Sequence, residues 1–178
     1  MSKRDDLTEA ATDYALAHGL IGLSLRPLAA ALGTSDRMLI YHFGSKDELV
    51  AAVLETSNQR SMALFGAMPP STSLRAAVID QWEMWTAQQV QQCQRMYVEA
   101  AALGLFGREP YASSVRESNV GWLDTIAAQL IRSGVGVDRA PRLAALIDAT
   151  FNGVFLDRPL DGDDTARQIV EDLAEAIA

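Results

Sequence analysis

Residues 24–49 read SLRPLAAALGTSDRMLIYHFGSKDEL, and this stretch decides the fold. Apolar residues recur in it at helical spacing in two short segments, which are followed by Gly33 and Gly44. Glycine often follows the last residue of a helix because it adopts a positive φ without steric strain. Pro27 lies in the first turn of the first segment, where a missing backbone N–H does little harm. The stretch therefore predicts two short helices joined by a tight turn.

A hydroxyl side chain precedes each predicted helix start. Ser24 precedes the first helix, Ser35 or Thr34 the second, and Ser45 a third helix that continues beyond the stretch. Such residues cap helices because their oxygen accepts a hydrogen bond from a backbone N–H that lacks a partner. Glu48 lies three residues after Ser45, which is the spacing of a capping box. Helix, turn and helix in this order predict a helix-turn-helix, whose second helix enters the DNA major groove.

The second predicted helix has one apolar face and one polar face. Its apolar face is formed by Met38, Leu39 and Phe43. The residues left to point outward are Asp36, Arg37, Tyr41 and His42. A plain helical hairpin in a bundle core is the alternative interpretation of the same pattern. The outward polar face favours DNA binding, as does the helix start at Ser45-Lys46, where free N–H groups and a cation can hold a phosphate.

The sequence resembles the DNA-binding domain of the tetracycline-repressor (TetR) family of transcriptional regulators. The resemblance covers roughly residues 5–55 and is carried by His18-Gly19, Ser24-Leu25-Arg26, Ala31-Leu32-Gly33 and Phe43-Gly44-Ser45-Lys46-Asp47-Glu48-Leu49. It implies an all-α fold with an N-terminal three-helix domain that contains the helix-turn-helix, over residues 1–48. A C-terminal helical domain over residues 49–178 is then expected to bind a ligand and to form the dimer.

We expect Arg37 to contact a base edge, most naturally a guanine. The residues expected to read or brace the DNA nearby are Thr34, Ser35, Tyr41 and His42, and those expected to hold phosphates are Arg26, Ser45 and Lys46. Family members usually carry a tyrosine that contacts the DNA backbone directly after the leucine of the recognition helix. Here Leu39 is followed by Ile40, so we move that contact to Tyr41 or His42.

Charge weighs against a generic DNA-binding surface. The formal net charge of the 178-residue chain is −8, and residues 1–50 contain five basic and seven acidic residues. The basic residues nevertheless lie in the N-terminal arm, at the start of the first motif helix, on the second helix and at the start of the third. Screening limits the reach of the other charges to about 8–10 Å. The sequence therefore predicts weak non-specific binding and a reliance on geometry and base contacts.

The sequence gives little support for an enzyme, a metal site, a disulfide or a membrane span. Cys93 is the only cysteine, which excludes an internal disulfide and a cysteine-rich metal site. Both histidines, His18 and His42, lie in the DNA-binding segment, and no catalytic, phosphate-cradling or metal motif is present. No apolar run reaches the roughly 20 residues of a membrane span, and the N-terminus has no hydrophobic signal region. We therefore expect a cytoplasmic protein that is not an enzyme, with no metal, cofactor or membrane contact.

The remaining sequence predicts helices over 74–93, 95–106 and about 110–133. They contain candidate residues for a small apolar or aromatic ligand: Trp82, Trp85, Gln89, Tyr97 and Trp122. The alternative is that these side chains simply form a core. Glu99 and Asp124 either meet a cationic ligand or lie at the surface.

Two amphipathic helices close the chain, one ending near Phe155 and one opening at Asp163 or Asp164, with residues 158–162 as a loop. The resemblance implies that they pair with the same helices of a second subunit, which gives a homodimer through residues 139–177. A two-fold dimer also suits a two-fold operator.

The sequence thus predicts a DNA-binding transcriptional regulator, in particular a repressor that releases operator DNA when a small apolar molecule binds the C-terminal domain. One alternative is a helical small-molecule-binding protein or enzyme that has lost DNA binding. An activator, or a constitutive DNA binder with a filled core, would also fit the pattern.

Overall fold

The structure, a computed structural model, describes residues 2–178 and consists of helices and connecting turns in that range. The helices are α1 Lys3–His18, α2 Leu25–Ala31, α3 Asp36–Phe43, α4 Lys46–Gly66, α5 Leu74–Thr86, α6 Gln88–Leu105, α7 Tyr111–Arg132, α8 Ala140–Asp161 and α9 Asp163–Ile177. No strand occurs among the described residues, so the predicted all-α class is confirmed. None of the helices within residues 2–178 is both long and apolar enough to cross a membrane.

The chain divides into two compact units. The first contains the residues up to Ser61 together with Gln88–Asn119, and the second contains Met62–Ala87 together with Val120–Ala178. Helices α4 and α7 each contribute residues to both units. The functional boundary expected between residues 48 and 49 stays a prediction, because compactness alone does not define function.

The first unit is built around one apolar core that unites the helix-turn-helix with α6. Leu39 of α3 and Leu28 of α2 are fully buried in it. Met96 and Ala100 of α6 belong to the same core, with 2% and 0% exposure. Helix α6, which the sequence places far from the helix-turn-helix, therefore shares one core with it.

Three local expectations were wrong. Met38 is not part of the buried face of α3, since 42% of it is exposed. Ser24 lies at the N-cap position of α2, but its side chain makes no capping hydrogen bond. Residues 158–162 are not a loop, because α8 continues through Pro159 to Asp161 and ends at Gly162, whose φ is +87°. A hydrogen bond from Arg158 Nε to Asp163 Oδ1, 2.5 Å long, bridges this junction.

The predicted helix over residues 74–93 is also wrong, because the chain leaves the helix at Ala87. Ala87 is extended, with φ −62° and ψ 138°, and α6 begins at the next residue. The Thr86 hydroxyl donates to the Glu83 carbonyl over 2.9 Å, while the Ala87 N–H bonds to Met84. The break contains no proline or glycine, so the usual sequence signal for a helix break is missing here.

Candidate functional sites

The recognition helix α3 is fixed by a cap and two buried side chains. Ser35 has an extended backbone, and its Oγ accepts a hydrogen bond from Met38 N over 3.2 Å. Leu39 and Phe43 are buried, with 0% and 5% exposure, and hold one side of the helix against the core. The Arg4 guanidinium lies 5.3 Å from the centre of the Phe43 ring, within cation–π range. The orientation of α3 is therefore determined by contacts on one side only.

The opposite side of α3 presents side chains to solvent. Arg37 is exposed, and Tyr41 is 77% exposed. Ile40 is 38% exposed, so the residue that replaces the family tyrosine also reaches the surface. His42 is half-buried and packs edge-to-face on Tyr41, with ring centres 5.2 Å apart. This surface offers a guanidinium and a phenol at adjacent turns of one short helix.

The candidate phosphate contacts lie at helix starts. Arg26 is exposed in the first turn of α2, and Lys46 is half-buried at the first residue of α4. Ser45 Oγ accepts a hydrogen bond from Glu48 N over 3.0 Å, which leaves the hydroxyl proton able to donate to a phosphate. Among the ion pairs formed by residues 2–178, none involves Arg26, Arg37 or Lys46.

Three of the four acidic side chains of α1, those of Asp5, Glu9 and Asp13, bind partners of their own. Arg60 of α4 forms ion pairs with both Glu9 and Asp13, and its contact to Asp13 is 2.7 Å long. Asp5 completes a capping box with Ser2, and hydrogen bonds from the Ser2 backbone and hydroxyl lower the pKa of Asp5. These carboxylates therefore stabilise α1 and its contact with α4.

The second unit contains a cluster of five aromatic rings. Trp85, with 1% exposure, lies 5.5 Å from Trp122, 5.2 Å from Phe151 and 6.2 Å from Phe65, measured between ring centres. Trp82 packs on Phe151 at 5.0 Å. All these contacts are edge-to-face, the arrangement that the ring quadrupoles favour. Three of the five predicted ligand residues, Trp82, Trp85 and Trp122, are thus brought together.

Sequence reasoning missed one polar residue in this cluster, Asp148 of α8. Trp122 Nε1 donates to Asp148 Oδ1 over 2.8 Å, and burial raises the pKa of the Asp148 carboxyl. The signal in the sequence was an acidic residue between the apolar positions Ile147 and Phe151. Because the resemblance assigns the whole helix to the dimer, the sequence alone does not point to a ligand-binding role for Asp148.

Helix α5 carries two buried polar atoms without hydrogen-bond partners. They are Gln81 Oε1 and Trp85 Nε1, four positions apart and hence on the same side of the helix. Gln81 Nε2 does donate, to Gln129 Oε1 over 3.0 Å. Trp82 also borders a groove of about 400 Å³ that Ile79 and Val170 line. A groove of this size can hold a small molecule.

The other ligand candidates lie in the first unit. Gln89 is exposed on α6, and the Tyr97 hydroxyl donates to Asn119 Oδ1 over 2.9 Å. Asp124 is exposed on α7, as the surface alternative predicts. Glu99 is half-buried, and its carboxylate accepts backbone hydrogen bonds from Leu20 and Ile21. No group of three or more His, Cys, Asp or Glu side chains within residues 2–178 is placed to hold a metal ion.

Comparison with known proteins identifies the class of this helix-turn-helix. Residues 7–53 match the family model for bacterial regulatory proteins of the tetR family. The resemblance to the TetR family of transcriptional regulators is thereby confirmed, and this segment is a TetR-type helix-turn-helix. A comparison with curated proteins gives no match.

Solved structures share the fold over nearly the whole chain. A transcriptional regulator from Rhodococcus sp. Rha1 is 23% identical with a TM-score of 0.79, covering 99% of this chain and 96% of its own. A TetR transcriptional regulator from Legionella pneumophila is 16% identical with a TM-score of 0.74, covering 99% and 97%. A transcriptional regulator from Saccharomonospora viridis, in complex with choline, is 18% identical with a TM-score of 0.70, covering 97% and 95%. At these identities the likeness establishes the fold.

Proposed function

We propose that the protein is a DNA-binding transcriptional regulator, and specifically a ligand-responsive repressor that releases operator DNA when a small molecule binds. Residues 1–48 would form the DNA-binding domain and residues 49–178 the ligand-binding and dimerisation domain. The observation that carries the proposal is the exposed side of α3, in a segment that matches a family of bacterial regulators. The Arg37 guanidinium forms no ion pair with the described residues.

The roles at the DNA follow from exposure and chemistry. Arg37 would donate two hydrogen bonds to a guanine edge in the major groove, which is the commonest specific contact of arginine. The residues proposed to read or brace nearby are Thr34, Ser35, Tyr41 and His42. Arg26, Ser45 and Lys46 would hold phosphates and so set the register of α3 on the duplex.

The ligand would bind at the aromatic cluster of the second unit. Trp82, Trp85 and Trp122 supply apolar contact area, and the buried Trp85 Nε1 offers a hydrogen bond to an acceptor atom of the ligand. Asp148 adds a half-buried carboxylate. Aromatic faces and a carboxylate together also suit an organic cation, and the related fold from Saccharomonospora viridis was solved with choline. Gln89 and Tyr97 belong to the first unit, and their role as ligand contacts stays a separate prediction.

The homodimer would form through residues 139–177. Four large apolar side chains of α8 and α9 are exposed in the single chain: Leu146, Leu156, Leu160 and Ile169. Exposed apolar surface of this extent on two adjacent helices favours burial against a second copy. A two-fold dimer would present two α3 helices to half-sites about 34–36 Å apart.

Selection of bound duplexes from a random pool, at a stated near-physiological salt concentration, tests the proposal. The wild-type protein should enrich an inverted repeat, and Arg37→Ala should lose or relax it. Arg95→Ala is the matched control, because Arg95 is exposed on α6, outside the helix-turn-helix, and its loss should leave the repeat intact. No enrichment by folded protein would favour a helical small-molecule-binding protein or enzyme instead.

Ligand response needs a separate experiment. A thermal-shift screen with apolar, aromatic and organic-cation compounds should find molecules that raise Tm, because a ligand bound only by the native state stabilises it. Such compounds should then release the selected operator. A compound that stabilises the protein but leaves operator affinity unchanged would contradict ligand-responsive repression by that compound.

A further inference from the structure

One carboxylate of α6 reaches the loop between the first two helices. Glu99 Oε2 accepts hydrogen bonds from Leu20 N over 2.6 Å and from Ile21 N over 2.7 Å. These two amides follow directly on the C-terminus of α1 and are 79 and 78 residues away from Glu99 in the chain. Hydrogen bonds to an ionised acceptor are shorter and stronger than neutral ones. The loop is therefore fixed to α6 by two strong hydrogen bonds.

The backbone at Gly19 permits this close approach. Gly19 has φ +83°, and a Cβ at this position would lie 2.8 Å from Glu99 Oε1. Any larger residue would have to displace the carboxylate. Gly19 therefore ends α1 and also leaves the space that Glu99 occupies.

Glu99 is itself held in a rigid frame. Met96 and Ala100, on either side of it in α6, are buried in the core that contains Leu28 of α2 and Leu39 of α3. Leu20, whose amide is bound, has 1% exposure and packs in the same core. Helix α6 therefore shares a core with the helix-turn-helix and is hydrogen-bonded to the backbone that leads into α2.

We propose that Glu99 is a positioning residue for operator recognition, an inference that rests on the proposed DNA-binding function. Its carboxylate fixes the loop at residues 19–24, and this loop sets the start of α2, which carries Arg26. The packing of α3 on α2 carries the same constraint to Arg37. Operator affinity therefore depends on a carboxylate that is not among the groups proposed to touch DNA.

Three variants test this role. Glu99→Ala removes both hydrogen bonds, Glu99→Gln keeps a weaker neutral acceptor, and Glu117→Gln is a control that removes an exposed carboxylate from the same unit. The measurements are affinity for the selected operator, affinity for non-specific DNA at the same salt, and amide hydrogen exchange at Leu20 and Ile21. Folding of each variant is checked by helical circular dichroism.

We expect Glu99→Ala to weaken operator binding about tenfold or more, a typical coupling between distinct sites, and to leave non-specific binding unchanged. Glu99→Gln should be intermediate, because a neutral oxygen accepts more weakly. Amide hydrogen exchange at Leu20 and Ile21 should be fastest in Glu99→Ala, intermediate in Glu99→Gln and slowest in the wild type. Glu117→Gln should match the wild type throughout.

Accelerated exchange with unchanged operator affinity would show that Glu99 has a structural role only, and would overturn the inference. Equal losses of specific and non-specific affinity would overturn it as well. If the wild-type protein selects no operator, the proposed function itself fails. If the wild type selects an operator and the Glu99 variants bind it equally well, the positioning role alone fails.

Discussion

Replacing Gly19 with alanine perturbs the contact between Glu99 of α6 and the loop that joins α1 to α2. With φ +83° and ψ 170°, Gly19 occupies a backbone region that other residues enter at a cost of about 1–3 kcal/mol. The new Cβ would also lie 2.8 and 3.1 Å from the two carboxylate oxygens of Glu99, so the carboxylate must move away from Leu20 and Ile21. Each hydrogen bond to a charged group contributes about 1.5–3 kcal/mol.

Because Glu99 is half-buried, water replaces part of the hydrogen bonding that the displaced carboxylate loses. We therefore take about 1–2 kcal/mol for the displaced pair of hydrogen bonds. Gly19→Ala should then lower the free energy of unfolding by about 2–5 kcal/mol in total. The assay is urea unfolding followed by circular dichroism, with the change taken from the midpoint at constant slope.

Two controls separate backbone strain from loss of the carboxylate. Gly22 has φ +82° with no non-neighbouring atom within 4 Å of its would-be Cβ, so Gly22→Ala introduces a positive-φ alanine without a clash. Combining Gly19→Ala with Glu99→Ala should destabilise hardly more than Gly19→Ala alone, because the carboxylate is already displaced. The mutant cycle should therefore be less than additive by about 1–2 kcal/mol, within the range seen for contacting residues. Strict additivity would refute the contact between Glu99 and the residue 19–21 backbone.

Four further predictions follow from individual contacts. Burial raises the pKa of Asp148, so its negative charge opposes folding at neutral pH. Asp148→Asn keeps an acceptor for the Trp122 N–H and should therefore raise the free energy of unfolding at neutral pH. This gain should vanish as the pH falls toward the ordinary carboxyl pKa of 3.8. Ser35→Ala should lower the free energy of unfolding by about 1 kcal/mol in denaturant titrations. Ser24→Ala should change it little, because Ser35 makes a capping hydrogen bond and Ser24 does not. Leu156→Arg should turn the proposed dimer into a monomer in sedimentation experiments while preserving helical content, since Leu156 is 54% exposed in the single chain. Lys46→Ala should reduce the slope of log affinity against log salt by about 0.9 per subunit, and an unchanged slope would contradict its phosphate contact.

The helix-turn-helix could be predicted because its signals are local. Gly33 and Gly44 end their helices with φ +64° and +85°, and Ser35 caps α3 through its own side chain. Each of these features depends on residues within four positions of one another, so the order of amino acids alone contains the information. The start of α9 at Asp163, with acidic residues in its first turn, is predictable for the same reason.

The contacts that complete the candidate sites are not local. Glu99 and Leu20 are 79 residues apart, and Trp122 and Asp148 are 26 residues apart. An acidic residue in an apolar helix indicates that some partner is present, but its spacing does not identify that partner. The break at Ala87 could not be predicted either, because no glycine or proline marks it in the sequence.

The acidic N-terminal segment illustrates why net charge is a poor guide to a DNA-binding surface. Glu9 and Asp13 neutralise Arg60, which lies outside residues 1–50, so the formal charge of the segment counts two carboxylates without their partner. A cation that is already paired gains little from a phosphate, because the old ion pair must be broken first. Arg37 and Lys46 have no ion-pair partner among residues 2–178 and keep their full charge for a phosphate or a base edge. Because screening limits each charge to about 8–10 Å, such local placement outweighs the formal sum of charges in setting where DNA can bind.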